Sequence, residues 1–268
     1  MMMIHRYSHP VLFYGLSTLI PWLCWFAAAA LSRVHGVNLA ASLLALAGLC
    51  APLLIGFALI WRDPLLRRDT CRRFFNFSSA PVYYLLACGL MPLSIMLAQG
   101  ISLLFGYDSA QFVISTRFSF TSGVFPVWML LIAAPLIEEI AWHSYGTDCL
   151  RSRFSLFTTC MIFAVFWGVW HMPLSAIPGY YHSELVASGW LYAANFLISI
   201  IPFVIIMNWL YYKTGRNILL CGIFHITAGL FNELFAPHPD SKVIQTGLLL
   251  MVAAALVMRE RAFFFRKT

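Results

Sequence analysis

Residues 39–61 read LAASLLALAGLCAPLLIGFALIW, from Leu39 to Trp61, without one charged side chain, and Arg62 follows at once. An apolar run of roughly 20 residues is what a helix needs to cross about 30 Å of hydrocarbon. Further apolar stretches lie at 10–32, 81–105, 125–150, 154–176, 188–212, 217–236 and 243–258. The 268 residues are 61% hydrophobic and 10% charged, more apolar surface than a soluble core of this size can hide. The sequence therefore predicts an all-α, polytopic membrane helical bundle of about eight transmembrane helices. Residues 1–268 form a single membrane domain, without internal repeat or separate soluble domain. Pro21, Pro52, Pro92, Pro135 and Pro202 fall inside spans, where each removes one backbone hydrogen bond and favours a kink.

The placement of charge tests this count independently. With the N-terminus inside, the inner segments hold Arg6, then Arg62, Arg67, Arg68, Arg72 and Arg73, then Arg151 and Arg153, then Lys213 and Arg216, and finally Arg259, Arg261, Arg266 and Lys267. Those are 14 of the 17 basic residues, leaving only Arg33, Arg117 and Lys242 outside. This is the positive-inside pattern, and it predicts that both termini are cytoplasmic. The net charge of +7 is spread over every inner segment rather than gathered on one face, which argues against a nucleic-acid partner and for the lipid bilayer. Arg62 to Phe77 mixes arginines with Leu65, Leu66, Phe74 and Phe75, as suits a helix in the inner headgroup layer or a plain stop-transfer loop. None of the seven cysteines falls in an outer loop, so no disulfide framework is expected. The first apolar stretch is longer than a signal core and is expected to be retained. The lack of large loops suits an integral multipass protein of a bacterial plasma (inner) membrane.

Within this apolar background, Glu138 and Glu139 stand deep in the fourth span, in the run APLIEEIAWH from Ala134 to His143. A carboxylate there is costly, so such groups face polar cavities or partners. Adjacent helix positions point about 100° apart, so the two glutamates must have different surroundings. Glu139 and His143 are stacked on one face at i,i+4, which leaves Glu138 to face a cavity. His171 and His225 lie in two other spans. Alone, each suits an interhelical hydrogen bond. Together with two buried carboxylates they predict a shared polar site where water is activated. His5, His9, His35, His182 and His238 lie in tails or loops and call for no functional account.

These residues resemble the CAAX-processing and bacteriocin-processing (CPBP) intramembrane protease family, also described as type II CAAX prenyl endopeptidase or lysostaphin-resistance-like. The likeness rests on Glu138-Glu139 with His143 following, on Trp167 four before His171, and on His225, and it covers a CPBP-like catalytic core at 125–235. The family carries arginine where His143 stands and asparagine where Gly229 stands; Asn232, seven residues after His225, is the nearby amide. The resemblance implies an intramembrane endopeptidase acting on a membrane-associated protein or peptide, such as a prenylated CAAX terminus or a leader peptide. In that reading Glu138 is the general base, His171 holds or activates the water, His225 stabilises the oxyanion, Glu139 and His143 brace the helix, and backbone groups, or Asn232 if the helix is distorted, stand in for the missing amide. No cofactor is demanded, although Glu138, His171 and His225 are chemically able to hold zinc (Zn2+) as a three-ligand site. Two alternatives follow: a catalytically impaired member acting as a membrane binding or scaffold protein, and a proton-coupled transporter built on the same buried acids and histidines. Counting about 1.5 Å per residue from the inner ends puts Glu138 roughly 18 Å deep, His171 roughly 26 Å and His225 roughly 12 Å, so convergence requires tilt, a kink or an early helix end.

Overall fold

Proline opens helices where its missing N–H costs nothing. Pro10 starts α1 (Pro10–Leu31), Pro64 starts α3 (Pro64–Phe74) and Pro81 starts α4 (Pro81–Leu103), with α2 (Asn38–Trp61) between the first two. The computed structural model describes residues 3–34, 37–115 and 125–267, so Arg117 and His35 lie outside the described residues. Next come α5 (Val127–Ala141), a π-helical turn at Trp142–Gly146, and α6 (Thr147–Arg151). α7 (Leu156–His171) runs into a 3-10 turn at Met172–Ala176, followed by α8 (Tyr181–Ser188) and α9 (Trp190–Lys213). The described chain ends with α10 (Ile218–Leu234), α11 (Pro239–Arg259) and the short α12 (Arg261–Phe265).

Seven of these stretches are helical, long and apolar enough to cross a membrane, with α5 and α6 joined through the π turn as one of them. The eighth expected stretch, 217–236, is the 17-residue α10, shorter than a full crossing. The chain is an all-α polytopic bundle and an integral multipass membrane protein. The arginine-rich stretch after α2 is helical, with the Asp63 carboxylate accepting from the Leu65 N–H at 2.9 Å as its cap.

α5 is central. It packs between α2 and α10, while α10 also touches α4 and α9, and α7 lies against α9. α1 packs along α2 and reaches both the π turn and the 3-10 turn after α7. The close approach of α1 to the π turn depends on Gly146, where an added Cβ would lie 2.7 Å from Phe13 Cε1. Phe13 is fully buried, so its ring has no room to retreat. Gly146→Ala is therefore expected to destabilise by about 1–3 kcal/mol, the usual cost of overpacking, read as a lower unfolding temperature in detergent.

Candidate functional site

The three helices α5, α7 and α10 bring Glu138, His171 and His225 to the wall of one cavity of about 330 Å³, together with Trp167, Asn232 and Gly229. The separation that depth counting suggested is bridged by side chains: α5 packs on α10, and α7 reaches both through Trp167. Trp167 is the hub. Its indole N–H donates to Glu138 Oε2 at 2.9 Å, its ring centroid is 5.2 Å from that of His171 and 5.3 Å from that of His225, and its carbonyl accepts from His171 Nδ1 at 2.7 Å. A carbonyl can only accept, so His171 carries hydrogen on Nδ1, and in the neutral ring Nε2 holds the lone pair. The Trp142 indole N–H approaches the same Glu138 oxygen at 3.5 Å.

Glu139 is turned away from this cavity and fully buried. Its Oε1 accepts from His225 Nδ1 at 2.7 Å. His143 Nδ1 lies 2.5 Å from Oε2, an ion-pair approach without hydrogen-bond direction. One carboxylate thus ties α5 to α10 and to the π turn, and fixes the His225 ring so that Nε2 is its other nitrogen.

The π turn is itself clamped. Arg73 on α3, only 3% exposed, donates from Nη1 to the His143 carbonyl at 2.8 Å and from Nη2 to the Ser144 carbonyl at 3.0 Å. The same Nη1 reaches Asp148 Oδ2 at 2.8 Å. Arg216 Nη2 meets that oxygen at 2.6 Å, and the hydroxyls of Tyr211 and Tyr212 donate to Asp148 at 3.0 Å each. Arg216 also pairs with Asp69 at 2.7 Å, and its backbone sits in the left-handed region at φ 68°. Arg73 and Arg216, which the sequence marks only as inner-segment charges, form one network with Asp148 at the arginine-rich end of the bundle.

One other expectation, that His182 is a loop residue, needs correction. Glu233, one residue from the end of α10, is buried and lines the cavity. His182, dismissed as a loop residue, lines it too and stacks on His171 with centroids 5.0 Å apart. Glu138, His171 and His225 share the cavity, yet among the described residues no three His, Cys, Asp or Glu side chains are grouped closely enough to hold a metal ion. The side chains present do not fit the three-ligand zinc site that the sequence allows. The cavity also has a definite place along the bundle. Trp25, Ser42, Leu174, Phe196 and Asn232 line it, each toward the helix end remote from the basic segments around Arg6, Arg62, Arg153, Lys213 and Arg216.

Residues 120–231 match the model of a family described as type II CAAX prenyl endopeptidase, Rce1-like. Across 273 aligned residues the chain is 37% identical to CAAX prenyl protease 2 of Methanococcus maripaludis, with 99% of each chain covered.

Proposed function

Because this chain belongs to the type II CAAX prenyl endopeptidase, Rce1-like family and is a protease, we propose that it cleaves a peptide bond of a membrane-associated substrate with water activated by Glu138. The observation that carries this reading is the convergence of Glu138, His171 and His225 on one cavity, around a tryptophan that contacts all three. A water between Glu138 and His171 would lose its proton to the Glu138 carboxylate, whose Oε2 is held by the Trp167 indole. His171 accepts a hydrogen bond from the water's second O–H at Nε2, the nitrogen left with a lone pair by its bond to the Trp167 carbonyl. As the hydroxide attacks, charge develops on the substrate carbonyl oxygen. In its protonated form, with Nδ1–H held by the Glu139 carboxylate, the His225 ring would present Nε2–H to that oxygen, and Asn232 offers a second donor from the same cavity wall. The proton on Glu138 then passes to the leaving amine.

The test is hydrolysis by the purified full chain in detergent of two internally quenched probes, a farnesylated peptide ending in a CAAX sequence and an unmodified leader-type peptide. Cleavage of either supports the reading; cleavage of neither defeats it.

Gly229 offers a second check. It lines the cavity, and an added Cβ would meet nothing within 4 Å. Gly229→Asn should fold normally and raise kcat, by up to about 100-fold if the amide acts as an additional oxyanion donor. An unchanged or lower kcat in a well-folded variant would show that no such donor is wanting.

A further inference from the structure

The 3-10 turn at Met172–Ala176 and α8 fold back over the cavity, and α8 packs on that turn and on α9. This cap carries His182 inward. Its ring stacks on His171 with an interplanar angle of 22° and meets Phe196 edge-on at 4.9 Å. Both of its ring nitrogens are buried and without a hydrogen-bond partner. Burial pushes the imidazole down to about 4, so at neutral pH it is uncharged, with one nitrogen a donor and the other an acceptor. A buried donor and acceptor left unpaired are costly, and the ring that carries them lines the cavity together with Glu138, His171 and His225. The partner that satisfies both kinds of atom, in a cavity open to a polypeptide, is a peptide backbone, whose units each carry one N–H and one C=O.

We propose that His182 is a substrate-binding residue that hydrogen-bonds the main chain of the peptide beside the scissile bond. It contributes affinity and register and takes no part in proton transfer. Stacking on His171 sets the bound strand against the ring that orients the water. This assignment rests on the protease reading above, and it extends the site from the helices to the cap.

His182→Phe keeps an aromatic ring between His171 and Phe196 while removing both polar atoms. For whichever quenched probe the wild type cleaves, KM should rise about 10-fold, the equivalent of about 1.4 kcal/mol, with kcat within about threefold. His182→Asn, which retains a donor and an acceptor, should recover most of the affinity and also guards against misfolding of the phenylalanine variant. An unchanged KM in folded His182→Phe overturns the proposal, as does a loss confined to kcat. Binding separates this failure from that of the protease reading. The farnesylated CAAX probe is titrated by fluorescence anisotropy into Glu138→Gln with and without His182→Phe, whether or not the wild type cleaves it. Weaker binding in the double variant supports the role of His182; equal binding, or none to either variant, overturns it.

Discussion

Glu138→Gln is expected to lower kcat by about 10²–10⁴-fold, the range that a positioned general base contributes, while leaving the unfolding temperature close to wild type. The substitution separates two properties of one side chain. The Glu138 oxygen that receives the Trp167 indole N–H at 2.9 Å has a counterpart in the glutamine carbonyl, so the bond between α5 and α7 survives. The second oxygen is replaced by an amide nitrogen with no lone pair to take a proton from water. Size, position and hydrogen bonding to the hub tryptophan persist, and only basicity is lost. Glu139→Gln should behave differently. Its carboxylate meets a histidine nitrogen on each oxygen, His225 at 2.7 Å and His143 at 2.5 Å, and an amide can accept from one of them while facing the other with a donor. Loss of folded protein should accompany loss of rate there. Initial rates on a cleaved probe, together with thermal unfolding of each variant, check both. A Glu138→Gln protein that hydrolyses at the wild-type rate would remove Glu138 from the reaction.

The parts of this site that could be read from the sequence are those whose cost is visible against an apolar background. Two adjacent acids in the run from Ala134 to His143 have no inexpensive place in hydrocarbon, and two histidines in other spans gave them company. The i,i+4 relation of Glu139 and His143 follows from helix geometry alone, and the structure has the two side chains at ion-pair distance. That Glu139 also holds His225 could not be read, because a contact across 86 residues depends on how α5 and α10 pack. His182 was hidden for a different reason. A segment too polar to be a span is assigned to solvent by default, and nothing in its composition tells a loop that projects outward from a cap that folds back. The basic residues were hidden by their own success as topology markers, since the rule that counts arginines between spans does not say which of them turn inward.

Asp148→Ala is expected to destabilise the protein by about 3–5 kcal/mol, the cost of leaving buried charges without their partner. The carboxylate is fully buried, with Arg73 on one side at 2.8 Å and Arg216 on the other at 2.6 Å. Removing it leaves Asp69 as the remaining carboxylate partner of both, at 3.0 Å and 2.7 Å. The damage should not stay at the arginine-rich end. Arg73 donates to the carbonyls of His143 and Ser144 in the π turn, the first of them shared with the Tyr211 hydroxyl at 2.8 Å, and this turn follows the two glutamates by a single helical turn. A guanidinium drawn toward Asp69 releases the Ser144 carbonyl and leaves that of His143 to the Tyr211 hydroxyl alone, which loosens His143 against Glu139. The variant should therefore lose rate beyond what its unfolded fraction explains, measured at a temperature where it remains folded. Asp148→Asn, which can still accept hydrogen bonds from the tyrosines and one arginine, should fall between. If Asp148→Ala unfolds at the wild-type temperature, the arginines find adequate partners without it, and the clamp on the π turn does not depend on this carboxylate.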